Sequence, residues 1–232
     1  MADFSAIRAL AFDLDGMLVD SVPSLAVAID LALVEMGLPP AGEARVGTWI
    51  GNGADILVQR ALCWTEAAAS PQQASQLRER FDHFYAQTID SGSRLFPQVK
   101  ETLAHLAAQG YLMALVTNKP TLFIAPSLAT FAIGDYFSLV IGGDDVAEKK
   151  PHPAPLYLAL GKLGLRANEL LFVGDSRNDI QAAQGAGCRC VGLAYGYNYG
   201  ESIALSHPDC VLERFADLLP VLGLSSLEDQ EI

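Results

Sequence analysis

The chain has 232 residues, a length that suits one large domain or a core carrying a smaller insert. Hydrophobic residues make up 51% and charged residues 18%, which excludes the disordered class and supplies a sizeable core. The formal net charge of −12 excludes nucleic acid and anionic membrane surfaces as partners, and any anion the protein handles must meet local cations.

No run of about 18 uninterrupted apolar residues occurs, so no bilayer-spanning helix is expected. Met1-Ala2-Asp3-Phe4 lacks a basic stretch leading into an apolar one, so no signal peptide and a cytoplasmic location are expected. Cys63, Cys188, Cys190 and Cys210 match no zinc spacing, and reduced thiols are the expectation.

In chain order, a strand is predicted over residues 7–12, closing on Asp13-Leu14-Asp15-Gly16. From about residue 22 to 90 the patterns are helical. Ser21 and Pro23 start a helix whose stripe is Ala26, Ile29, Leu33 and Met36. Gly51-Asn52-Gly53 makes a turn, Ile56, Leu57, Arg60 and Ala61 follow at helical spacing, and a third helix covers 72–89. Strands over 112–116, 137–141, 170–173 and 188–193 then alternate with helices over 121–131, 153–163 and 178–186. The predicted fold is α/β: a Rossmann-like parallel sheet covered by helices on both faces, with an inserted helical domain. The core would comprise residues 1–20 and 92–232 and the insert residues 21–91, with hinges near Val19-Asp20-Ser21 and Ser91-Gly92-Ser93.

Ligands of open parallel sheets bind at the carboxyl ends of the strands. Three predicted strands end on polar groups: Asp13 and Asp15, then Thr117-Asn118, then Gly174-Asp175-Ser176-Arg177-Asn178-Asp179. Lys149-Lys150-Pro151-His152-Pro153 lies between the last two. Four carboxylates on one rim repel unless a cation joins them, and an all-oxygen donor set suits Mg²⁺. A carboxylate free to attack phosphorus gives an acyl phosphate, and a neighbour two residues on can serve as acid and base. Lys150 can neutralise a phosphate oxygen and Thr117 can donate its hydroxyl.

These four motifs, in this order and spacing, resemble those of the haloacid dehalogenase-like phosphatases, and the helical insert resembles their cap. The resemblance covers essentially the whole chain. Within that superfamily the sequence is most similar to the phosphoglycolate phosphatases, through Trp49-Ile50-Gly51-Asn52-Gly53-Ala54, Val116-Thr117-Asn118-Lys119-Pro120, Lys150-Pro151-His152-Pro153 and Tyr195-Gly196-Tyr197-Asn198-Tyr199-Gly200 among others. It implies Asp13 as nucleophile and Asp15 as general acid and base. It further implies Mg²⁺ on Asp13, Asp175 and the Asp15 carbonyl, with Asp179 a direct or indirect metal group. Thr117, Asn118 and Lys150 would hold the phosphoryl group. The implied reaction is hydrolysis of 2-phosphoglycolate through an aspartyl phosphate. Two alternatives share the core motifs: a phosphatase or phosphomutase acting on a sugar phosphate such as β-glucose phosphate, and a binding protein without turnover.

One residue departs from the family pattern: Met17 stands where a threonine is usual, and it cannot supply the hydroxyl expected to steady the loop beside Asp15. Other residues have two readings. Arg45, Trp49, Gly51 and Asn52 form either a plain turn or a lid that selects the leaving group, and Lys119 or Arg45 would receive a substrate carboxylate. Tyr195, Tyr197 and Tyr199 either stack on ligand or build a folded loop. His152 is expected to stabilise its turn, His83 and His105 to pack, Lys149 to be solvated, and Arg177 and Asn178 to shape their turn. The expected partner is a small phosphorylated molecule, and the expected assembly a monomer or homodimer.

Overall fold

The computed structural model describes residues 3–65 and 70–227. Six parallel strands form one sheet, in the order β5-β4-β1-β6-β7-β8: β1 is Ala9–Phe12, β4 Leu112–Val116, β5 Leu139–Ile141, β6 Leu170–Gly174, β7 Arg189–Leu193 and β8 Cys210–Leu212. The two-residue alternation of a strand divides the apolar positions between two faces. Leu10, Phe12, Met113, Leu115, Leu171 and Val173 enter one core, against α5 (Val99–Ala108), α6 (Ile124–Phe131) and α9 (Leu218–Val221). Ala9, Ala11, Ala114, Val116, Leu170 and Phe172 enter the other, against α7 (Ala154–Leu163) and α8 (Arg177–Ala186). Being covered on both sides, the central strands read as continuous apolar runs.

The helical insert comprises α1 (Val22–Glu35), α2 (Glu43–Gly47), α3 (Ala54–Trp64) and α4 (Pro71–Thr88). It has its own apolar cluster, in which Ala26, Ile29 and Leu33 of the predicted stripe are buried beside Leu57, Leu62, Leu77, Phe81 and Tyr85. Ser70 starts α4 with a reciprocal capping box to Gln73, with Pro71 in the first turn. No helix among the described residues is long and apolar enough to cross a membrane.

The sheet has a sixth strand, β8, and the helical pattern around His105, for which the sequence offers no bounds, is α5. The strand expected from residue 137 begins at Leu139, after a short 3-10 turn at Gly134–Tyr136. The two crossings into the insert pair with each other: β2 (Val19–Asp20) runs antiparallel to β3 (Arg94–Leu95), with Val19 opposite Leu95 and Asp20 opposite Arg94. Two residues per strand are too few for an alternation signal.

Candidate active site

Asp13 follows β1, Thr117 follows β4, and Asp175 follows β6, so the sheet brings three chain segments to one rim. The Asp13 N–H donates to Val173 O at 3.1 Å, continuing the ladder one residue past the strand. The chain then turns tightly at Leu14, whose carbonyl accepts from Leu18 and Val19. Gly16 sits at φ +91°, and a Cβ there would lie 2.5 Å from Asp175 Oδ2 and 2.7 Å from the Tyr197 ring. A side chain at this position is blocked by the site itself. A Cβ at Gly196 would likewise overlap the Asp175 side chain.

Asp13, Asp175 and Asp179 are buried, and one oxygen from each lies within 4.8 Å of the others. Asp179 is fully engaged. Its Oδ1 accepts from Lys150 Nζ at 2.7 Å, and its Oδ2 accepts from Ser176 Oγ at 2.7 Å, Ser176 N at 3.0 Å and Asp175 N at 3.2 Å. Asp13 and Asp175 differ. The Oδ1 atom of each is buried with no hydrogen-bond donor, although Lys150 Nζ stands 3.0 Å from Asp13 Oδ1 as an ion-pair contact. Burial pushes the Asp13 carboxyl up to about 6 against the attraction of Lys150. Burial first, then the charges of Asp179 and Asp13, raises Asp175 well above the usual carboxylate range. Two buried carboxylate oxygens without a hydrogen-bond donor, on residues of one three-carboxylate group, fit a hard cation.

Lys150 is held from three sides, by Asp179, Asp13 and the Val116 carbonyl at 2.8 Å. Burial disfavours its charge, but the carboxylates more than compensate and raise its pKa. The Asn118 side chain faces the protein: Nδ2 donates to Lys150 O at 2.8 Å and Gly51 O at 3.1 Å, while Oδ1 accepts from Lys150 N at 2.9 Å. Thr117 is buried, and its Oγ1 accepts from Lys119 N at 3.2 Å.

Beside these groups lies a cavity of about 470 Å³ including its open mouth. Asp13, Asp15, Thr117, Asn118 and Lys119 line its polar side, and Leu25, Ile50, Phe81 and Phe123 are among its apolar walls. Lys119 Nζ donates to Asp15 at 3.0 Å and to the Tyr85 hydroxyl at 2.6 Å. Arg45 is not brought to the cavity; its guanidinium lies 4.4 Å from the Trp64 ring centroid and donates to Ala41 O. Trp49 also stands outside the lining, with its carbonyl accepting from Arg60 at 2.6 Å. Gly51 and Asn52 do reach the core: Gly51 O accepts from Asn118 and Asn178, and Asn52 Oδ1 accepts from the Tyr199 hydroxyl at 2.8 Å and Arg60 at 2.9 Å.

The tyrosine segment is a folded loop. Tyr195 donates to Met17 O, Tyr197 to Asp20, and Tyr199 to Asn52. Lys149 pairs with Asp55 at 3.5 Å, and His152 Nδ1 accepts from Ala154 N in its own turn. Met17 is fully buried among Leu14, Leu18 and the rest of the sheet core. Sequence reasoning missed Tyr85 and Arg60. Both lie on insert helices, where their helical spacing makes them look like ordinary packing or surface residues.

Residues 10–193 match the model of the haloacid dehalogenase-like hydrolase family. The chain is 68% identical to the phosphoglycolate phosphatase of Yersinia pseudotuberculosis over 232 residues, covering 100% of both chains. It is 69% identical to the phosphoglycolate phosphatase of Pectobacterium atrosepticum over 231 residues, 100% of this chain and 99% of that one. The crystal structure of a predicted phosphoglycolate phosphatase from Haemophilus somnus superposes with a TM-score of 0.90 at 48% identity, covering 94% of this chain and 99% of that chain. The buried carboxylates, the lysine between them and the rim built from three strand ends therefore have a lineage: this chain belongs to the haloacid dehalogenase-like hydrolases.

Proposed function

We propose that the protein hydrolyses the phosphomonoester of a small organic acid, 2-phosphoglycolate, to glycolate and phosphate. The full-length likeness to two phosphoglycolate phosphatases supports this reading. The observation that carries it is the cavity beside Asp13 and Asp15, whose one cation among the described lining residues is Lys119. Its ammonium meets both Asp15 oxygens and the Tyr85 hydroxyl, and a substrate carboxylate would bind it by taking over the longer Asp15 contact. The walls of Leu25, Ile50, Phe81 and Phe123 offer no partners for the many hydroxyls of a sugar phosphate.

In the first half-reaction an Asp13 oxygen bonds to phosphorus, the bond to the leaving oxygen breaks, and Asp15 gives that oxygen a proton. In the second, Asp15 takes a proton from water, the water oxygen bonds to phosphorus, and the acyl-phosphate bond breaks to return Asp13 as carboxylate. Asp13, Asp175 and the Asp15 carbonyl would hold Mg²⁺, which offsets charge on the phosphoryl oxygens when bound. Asp179 acts on the site through Lys150. Thr117, the backbone at Asn118 and Lys150 face the phosphoryl group. Residues 21–91 serve as a cap on a core of 1–20 and 92–232, excluding water during the reaction.

The test compares Lys119→Met and Arg45→Met on 2-phosphoglycolate and an aryl phosphate. Lys119→Met raises KM for phosphoglycolate by about tenfold or more over its effect on the aryl phosphate, the scale of a charged hydrogen bond. Arg45→Met changes neither. Equal KM effects of Lys119→Met on the two substrates would remove the carboxylate site.

A further inference from the structure

Tyr85 belongs to α4 of the insert, yet its hydroxyl accepts from Lys119 Nζ of the core at 2.6 Å. The same ammonium donates to Asp15 Oδ1 at 3.0 Å and Oδ2 at 3.2 Å. It is the one side-chain donor to the Asp15 carboxylate among the described residues. All three residues line the cavity, and Tyr85 and Lys119 are only 2% and 4% exposed.

The tyrosine ring is held firmly. It stacks on Phe81 of the same helix, with ring centroids 5.4 Å apart and planes 15° from parallel. It also meets Phe123 edge-on at 4.9 Å. Phe123 comes from the core segment that follows Lys119, so insert and core together clamp the ring. Lysine, by contrast, has a long flexible stem and loses much rotamer freedom when its end is fixed. A rigid phenol at the end of that stem is what restricts the ammonium, and the ammonium in turn restricts Asp15.

We propose that Tyr85 is a positioning residue for Asp15, acting through the Lys119 ammonium, so that the helical insert contributes to the acid–base steps as well as shielding the cavity. The proposal rests on Asp15 as the acid–base group. Tyr85 and Lys119 neither gain nor lose a proton; they fix the carboxylate that does. When the insert lifts, the Tyr85 contact breaks and the acid–base group loses its fixed position, which couples closure to chemistry.

Tyr85→Phe keeps the clamped ring and removes only the hydroxyl. In a rapid-quench single-turnover experiment with p-nitrophenyl phosphate and Mg²⁺, the phenolate leaves without needing a proton. Formation of the phosphoenzyme therefore stays within about twofold of the native rate, while its hydrolysis slows by about 2- to 12-fold, the range of one hydrogen bond. KM stays unchanged. In a Lys119→Gln background, adding Tyr85→Phe has no further effect on hydrolysis. Equal slowing of both steps would mark a merely structural tyrosine and overturn the proposal. So would unchanged or faster hydrolysis, or additive effects in the double variant. Failure of the native protein to turn over 2-phosphoglycolate would remove the substrate assignment alone, because the aryl phosphate arm decides the role of Tyr85 independently.

Discussion

The hydroxyl of Tyr197 donates to Asp20, joining the loop at the buried carboxylates to the first strand that leads into the helical insert. The Tyr197 N–H donates to Asp175 Oδ2 at 2.6 Å, and Asp20 Oδ2 accepts from Arg94 of the returning strand at 2.9 Å. One residue thus ties a site carboxylate to both crossings. Burial raises the Tyr197 pKa, so the phenol remains a donor at neutral pH. Tyr197→Phe should lose a bond to a charged acceptor, worth about 1.5–3 kcal/mol, towards the low end because Arg94 stays with Asp20. A fall of about 3–6 °C in the thermal midpoint follows for a chain of this size. An unchanged midpoint would mean that the bond adds nothing in water.

Asp13→Asn should eliminate turnover, because an amide is a poor nucleophile and a poor metal ligand. The metal-free variant should melt no lower than the metal-free native protein. The substitution removes one charge from a crowded group, and Lys150 keeps Asp179 and the Val116 carbonyl. Asp15→Asn should instead let phosphoenzyme accumulate from an aryl phosphate, visible by mass spectrometry as an adduct on Asp13. A rate near native for Asp13→Asn would rule out the covalent route.

Mg²⁺ should stabilise protein stripped with a chelator. At about 100 times its dissociation constant the gain is about 2.7 kcal/mol, or roughly 5–10 °C in thermal midpoint. The effect should depend on pH. Asp13 is pushed up to about 6, mainly by burial, and Asp175 is raised well above its usual value. A raised carboxyl pKa contributes stability below the unfolded value near 4, and that contribution is lost as pH rises through about 6. Protons therefore compete with the metal in acid and repulsion builds in its absence above pH 6. The Mg²⁺-induced rise should be larger at pH 8 than at pH 5.5. A rise that does not change with pH would show that these carboxylates do not bind the ion.

Met17→Thr should destabilise the protein and leave the rate without the gain that family likeness implies. The methionine side chain is fully buried in the sheet core, and the Tyr195 hydroxyl already binds the Met17 carbonyl at 2.7 Å. Replacing it with a smaller polar side chain loses apolar burial and leaves a hydroxyl to satisfy, a cost of about 2–4 kcal/mol. Denaturant unfolding measures this cost, and a variant as stable as native with a faster turnover would refute it.

The alternation of strands and helices, the helical stretch between residues 22 and 88, and the gathering of Asp13, Thr117, Lys150 and Asp175 at one rim were legible in the sequence. Periods of 2 and 3.6 are local, and a parallel sheet puts all its strand ends on the same side. The β2–β3 ribbon was not legible, because strands of two residues carry too little pattern, and the three-residue β8 was not picked out although the equally short β5 was. Choice of partner was also beyond it. Lys119 and Arg45 are equivalent candidates as sequence, yet one is buried against Asp15, 104 positions away, and the other stacks on Trp64 outside the cavity. Asn118 reads as a phosphate ligand, but its amide bridges Lys150 and Gly51. A long cation or an amide can reach many groups, and which one it meets depends on how distant segments pack. Tertiary structure alone brought the Tyr85 hydroxyl, on a helix of the insert, to the end of a core lysine.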